Sequence, residues 1–215
     1  MNLEWVGNNI ELIGELTLAH LWLTLLPTAL GLALSIPLGY LAFTHRRSYP
    51  AIVGGSSLFY TIPSLALFIL LPKLLGTKVL DPMNVVVALV FYTVALLVRI
   101  VADSLASVSP DAVFAAEGMG FTRLQTFFKV QLPIAIPAIL SGLRVVVVSN
   151  ISIVTMAAVI GITQLGTLFT MGFTRRMFVP IIVGLVVCLL LALFLDRILV
   201  LLGKIMTPWS QKGAL

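Results

Sequence analysis

Charge is what this sequence has least of. Only 10% of its 215 residues are Asp, Glu, Lys or Arg, against roughly 25% in soluble domains. A soluble chain of this size has too little interior to hide the 60% that are hydrophobic. The mean hydropathy is +1.15, so the expected solvent is lipid. Cysteine is represented by Cys188 alone, which excludes an internal disulfide. The two histidines, His20 and His45, have no metal-ligand spacing to another His, Cys or carboxylate. No His-Glu-x-x-His or serine-elbow pattern occurs, so catalysis has no visible constellation. The net charge of +5 lies in short connections rather than one block, which reads as membrane topology and not as a nucleic-acid partner. Strand alternation is absent, which excludes a barrel.

What is present is a series of stretches without charge: 16–44, 48–72, 82–98, 145–174 and 177–195. A helix crossing the hydrocarbon needs about 20 apolar residues. The predicted fold is an all-α membrane protein, a single transmembrane domain over 1–215, with five spans near 20–43, 51–71, 83–102, 137–160 and 178–202. Arg46, Arg47, Arg99, Arg123, Lys129, Arg144, Arg197, Lys204 and Lys212 then fall on one side, and Lys73, Lys78, Arg175 and Arg176 on the other. That majority places the N-terminus outside and the C-terminus in the cytoplasm. No cleavable leader is expected, because a basic n-region is missing and the first apolar run is too long. His20 is expected at the outer interface of span one. Asp196 and Arg197 are expected to mark the inner end of span five.

One connection, about 103–136, is too long for a turn and should face the cytoplasm. Ser109-Pro110-Asp111 is a helix start, with Pro in the first turn and an acid at the positive dipole end. Ala112, Ala115, Ala116 and Glu117 continue a helix over 111–117, and Gly118 and Gly120 stop or turn it. A second stretch, 123–131, has Leu124, Phe127, Phe128 and Leu132 at helical spacing, with Arg123 and Lys129 opposite. Leu132-Pro133 is expected to end that stretch before span four. By physics alone the loop is a docking surface or an interfacial helix lying on headgroups.

The loop resembles the cytoplasmic signature of permease subunits of ATP-binding-cassette importers: Glu-Ala-Ala, three residues, Gly, nine residues, Ile, one residue, Leu-Pro. Here Phe114-Ala115-Ala116, Gly120, Val130, Leu132 and Pro133 keep every spacing. Phe114 replaces the signature Glu, and Val130 replaces Ile. Further stretches are similar to the osmoprotectant branch, which carries glycine betaine, choline and carnitine. They are Thr61-Ile62-Pro63-Ser64-Leu65-Ala66, Gly118-Met119-Gly120, Ile139-Leu140-Ser141-Gly142-Leu143-Arg144, Ile160-Gly161, Leu165-Gly166 and Thr207-Pro208-Trp209. The resemblance implies a type I importer permease in a prokaryotic plasma membrane, with a cytoplasmic coupling helix between spans three and four. It implies ATPase coupling through Phe114, Ala115, Ala116, Glu117, Gly118, Gly120, Leu132 and Pro133.

No phosphate loop is present: Gly161 to Gly166 has the first spacing but is followed by Thr167 and Leu168. ATP and Mg are therefore expected on partner ATP-binding subunits, with no cofactor on this chain. Nearly charge-free spans leave little for ion coupling. A weakly polar pathway is predicted instead. In span four, Ser149, Ser152, Thr155 and Met156 fall within about 120° of helical arc, while Asn150 lies off it. In span two, Tyr60, Thr61, Pro63 and Ser64 surround a proline that frees carbonyls and kinks the helix. For the span-four stripe, packing between helices is the equal alternative. No aromatic cage clusters in the sequence, so substrate selection is expected on a separate extracellular binding protein. Five spans are too thin to enclose a path, which calls for a second permease. The degenerate position 114 favours a heterodimer over a homodimer. The other readings are an importer for methionine or another amino-acid-like solute, a membrane-embedded enzyme, and a stand-alone channel.

Overall fold

The computed structural model describes residues 3–45 and 47–211. Arg46 and Lys212, two of the cations counted toward the cytoplasmic side, lie outside them. The described residues contain helices and short connections and no strand. In chain order the α-helices are α1 Leu3–Asn8, α2 Ile10–Thr44, α3 Tyr49–Tyr60, α4 Ser64–Leu75, α5 Pro82–Ala106, α6 Pro110–Gly118, α7 Arg123–Thr126, α8 Leu132–Thr155, α9 Thr167–Arg175 and α10 Phe178–Met206. A π-helical turn, Phe127–Gln131, joins α7 to α8, and a 3₁₀ turn, Met156–Ile160, ends α8.

Among the described residues, four helices are long and apolar enough to cross a membrane: α2, α5, the continuous 123–160 stretch and α10. The fifth crossing is the pair α3 and α4, which meet at an angle of 103°. Packing directions show that this pair is one span and not a loop that turns back. A Cβ on Gly39 would come 2.6 Å from Val101 Cγ1, and one on Gly31 would strike Thr93. The register 31 to 93 and 39 to 101 makes α2 and α5 parallel neighbours. A chain with these two helices parallel must return between them, and only α3 and α4 are available. Gly142 against Ile100, with Asn150 bonded to Thr93, sets α8 antiparallel to α5. The Arg144–Asp196 pair and Gly203 near Leu140 set α10 antiparallel to α8.

Helix α5 is the axis of the bundle. Its buried side chains, including Val85, Leu89, Tyr92, Leu97, Val101 and Leu105, meet α2, α3, α4 and α8. With lipid outside, helix association rests on close packing and interhelical hydrogen bonds. Gly31 and Gly39 supply the first. Asn150 supplies the second: its Nδ2 donates to Thr28 Oγ1 and Thr93 Oγ1, each at 2.9 Å, joining three helices at one point.

Several sequence expectations change. The helix that carries the 20–43 span starts earlier, at Ile10, because Ile13, Leu16 and His20 continue one buried stripe while Glu11 and Glu15 stay outside it. His20 packs inside the chain. It is fully buried, with its ring nitrogens 3.0 Å from Gln164 Oε1 and 3.1 Å from the Ile151 carbonyl. Leu132-Pro133 does not end a helix either. The π turn shifts the hydrogen bonds to five-residue spacing, with Leu132 N–H donating to the Phe127 carbonyl. Pro133 then falls in the first turn of α8, where its missing N–H costs little. The same turn splits the predicted apolar stripe: Phe127 is buried against Tyr40, while Leu124 and Phe128 face outward. Asp196 does more than mark an interface. It accepts two bonds from Arg144, from Nε at 2.6 Å and from Nη2 at 3.0 Å. Helix α9, absent from the predicted elements, carries Arg175 in its last turn.

Candidate functional site: an exposed coupling helix and an open span face

Local sequence builds the first site. Ser109 caps α6, with its hydroxyl accepting the Asp111 N–H at 3.3 Å. Gly120, at φ +84°, turns the chain left-handed after Met119. Phe121 N–H donates to the Ala116 carbonyl and Gly120 N–H to the Glu117 carbonyl, at 3.1 and 2.9 Å. That pair of bonds is a Schellman cap, which closes the helix on itself. Thr122 and Gln125 then form a capping box that opens α7. The result is a rigid helix, turn and helix with few long-range ties.

Its surface is unlike a solvated loop. Phe114, Met119, Leu124 and Phe128 are each 60–68% exposed. Ala116 is buried against the chain, and Val113 packs on the cluster around Val101 and Phe127. Ala115, Glu117, Gly118 and Gly120 are exposed, and Leu132 and Pro133 are half-buried. Nothing approaches a Cβ built on Gly118 or Gly120 within 4 Å. The glycines are thus free of contact inside this chain, and their bareness faces outward.

The second site is the open side of the bundle. Ser152 and Met156 are exposed, and Ser149 and Thr155 are half-buried, on the outer face of α8. Asn150, off that face, is 1% exposed and bonded inward. Tyr60, Thr61 and Pro63 are exposed at the break between α3 and α4. Ile62, beside the break, packs on the same core cluster as Ile153 and Ile160 at the end of α8. Both stretches therefore border one cluster and leave their polar sides uncovered.

Two features escaped sequence reading. Four rings gather at the break: Phe59 stacks on Phe91 at 5.3 Å, and Tyr60 meets Tyr92 edge-on at 5.9 Å. The Tyr92 hydroxyl donates to the Ile62 carbonyl and pins the bend. The signal was two Phe-Tyr pairs on successive spans, legible only once their depth is known. The other is Gln164, whose Nε2 donates to the Val154 and Thr155 carbonyls while its Oε1 meets His20. This ties α2 to the C-terminal end of α8.

A helix bundle with an open, weakly polar face and an exposed apolar helix at one end is the arrangement a membrane transport subunit needs. A family model described as the inner membrane component of binding-protein-dependent transport systems matches residues 21–207. The chain belongs to that family and is a permease subunit of an ATP-binding-cassette importer. It is 34% identical over 209 residues to the osmoprotectant import permease OsmW of Salmonella typhimurium, covering 96% of this chain and 97% of the relative. It is 30% identical to the glycine betaine/carnitine/choline permease OpuCB of Bacillus subtilis, covering 90% and 88%. In structure it matches a chain of the MetNI methionine transporter with a TM-score of 0.84 at 18% identity, over 93% and 98% of the two chains. That likeness shows the type I importer permease fold.

Proposed function

We propose that this permease carries a quaternary-amine osmoprotectant such as glycine betaine, choline or carnitine into a prokaryotic cell. The observation that carries the substrate class is the near full-length similarity to permeases named for these solutes. A nearly charge-free passage supports it, because a zwitterion needs no fixed counter-charge along its way. The N-terminus lies outside and the C-terminus in the cytoplasm, by the Lys and Arg count. ATP and Mg reside on cytoplasmic partner subunits, since this chain has no phosphate loop. The exposed Phe114, Ala115, Glu117, Gly118 and Gly120 dock in a groove of that ATPase, with Ala116 anchoring the helix from behind. Leu132 and Pro133 pass its movement into α8.

A binding protein outside delivers the solute. A second permease faces Tyr60, Thr61, Pro63, Ser149, Ser152, Thr155 and Met156, so that the path runs between the two chains. Phe114 in place of the signature Glu favours a non-identical partner that keeps the carboxylate. A methionine importer is the second reading, supported by 29% identity to the probable D-methionine permease MetI of Vibrio cholerae over 185 residues. Mild-detergent purification of the tagged chain from its host, with mass spectrometry of its companions, tests the assembly. An ATPase and a binding protein that takes up glycine betaine bear out the proposal. A companion binding protein selective for methionine overturns the substrate class.

A further inference from the structure

Backbone outside a helix persists at membrane depth only where protein buries it or water reaches it. The break between α3 and α4 is not buried, since Tyr60, Thr61 and Pro63 are exposed. Among the described residues, no hydrogen bond reaches the carbonyls of Tyr60 or Thr61. Pro63 has no N–H to offer them. The depth follows from Tyr92, which holds the Ile62 carbonyl. Tyr92 stands about 15 Å along α5 from Pro82 and about 21 Å from Ala106 at 1.5 Å per residue, near the middle of the span. Bare carbonyls at that depth exclude lipid, and with a second permease opposite they border the path between the two chains.

The chemistry at the break is selective. Phe59, Tyr60 and Phe91 remain 43%, 43% and 39% exposed around it, and Tyr92 is fixed behind them. No Asp, Glu, Lys or Arg occurs in 48–72 or 82–98. A small, strongly hydrated cation finds nothing there to replace its water. A trialkylammonium holds water weakly and spreads its charge over methyl groups. It suits ring faces and carbonyl oxygens, through cation–π attraction and C–H···O contacts.

We propose that the break in the second span, with Tyr60, Phe59 and Phe91 and the free carbonyls of Tyr60 and Thr61, is a transit site for a trialkylammonium group. It rests on the quaternary-amine reading above. The permease then selects its solute a second time, after the binding protein. Tyr92 is a positioning residue that keeps the carbonyls turned outward.

The test is uptake of radiolabelled glycine betaine and choline by cells carrying the complete importer, with its own ATPase and binding protein. Tyr60→Leu and Phe91→Leu should each lower uptake roughly two- to thirty-fold, the range of one cation–π contact. Tyr60→Phe should retain it. Phe at position 60 bearing one, two and three ring fluorines should lower it stepwise, because fluorine drains the negative ring face while leaving the shape. Recovery of the ATPase on the tagged chain should stay unchanged, which separates the site from assembly. Uptake of quaternary amines indifferent to the rings at 60 and 91 overturns the site and leaves the substrate class standing. An intact importer that moves another solute and no quaternary amine overturns both.

Discussion

Gly120 offers the sharpest check on the coupling turn. It sits at φ +84° as the left-handed residue of the Schellman cap, and a Cβ there would meet nothing within 4 Å in this chain. Its two possible roles therefore separate. Conformation alone costs about 1–2 kcal/mol for a residue with a Cβ, which depopulates the turn by roughly five- to thirty-fold for Gly120→Ala. Asn adopts this conformation more readily, so Gly120→Asn should cost less than Ala if conformation is all that matters. Steric cost inside the chain is nil. Any loss with Asn beyond that of Ala must come from a second surface pressed against the turn. Gly120→Asp adds a carboxylate to the same place and should abolish uptake while leaving membrane insertion intact. The assay is ATP-driven uptake beside recovery of the ATPase on the tagged permease. Wild-type uptake in Gly120→Asp would refute the reasoning, because it would leave the turn with no partner.

Gly39→Ala places a methyl 2.6 Å from Val101 Cγ1, and overpacking of this kind costs about 1–3 kcal/mol. A thermal midpoint in detergent that stays at the wild-type value would contradict the parallel seam of α2 and α5, and Val101→Ala should restore part of any loss. His20→Leu removes the buried ring contacts to Gln164 Oε1 and the Ile151 carbonyl, a loss of about 1–3 kcal/mol read by the same melt. Arg144→Ala should destabilise the α8–α10 contact by stranding Asp196, and the double change with Asp196→Ala should recover stability; equal melts for single and double variants would deny the pair a role. Phe114→Glu should leave the stability of the permease itself within about 0.5 kcal/mol, because the ring is 67% exposed. Recovery of the ATPase on that variant then reports whether the partner groove accepts a carboxylate or has adapted to a ring.

The coupling loop was legible because its signals are local. Proline at a helix start and glycine past a helix end each act within four residues of chain, whereas the equally local Thr122–Gln125 capping box went unread. The apolar spans were legible because lipid makes charge costly residue by residue. The bend of the second span was legible only in part. Pro63 announced a kink, but not its 103° or the bond from Tyr92 on another helix to the Ile62 carbonyl at the bend. The burial of His20 was not legible because its partners, Ile151 and Gln164, lie 131 and 144 residues away. The span-four stripe named Ser149, Ser152, Thr155 and Met156 and set Asn150 apart, and helical periodicity suffices for that division. It does not say which side faces in.

Composition and local punctuation by themselves determined that this chain lives in lipid, how many apolar stretches it has and where it exposes a coupling helix. These follow from transfer energies and backbone preferences that each residue carries wherever it stands. Only the tertiary structure decided that α2 and α5 run parallel, that the bent pair between them is one crossing, and that four rings meet beside bare carbonyls at its break. Those are relations between residues far apart in the chain. They are set by close approach at Gly31 and Gly39 and by hydrogen bonds between helices, which no single stretch of sequence contains.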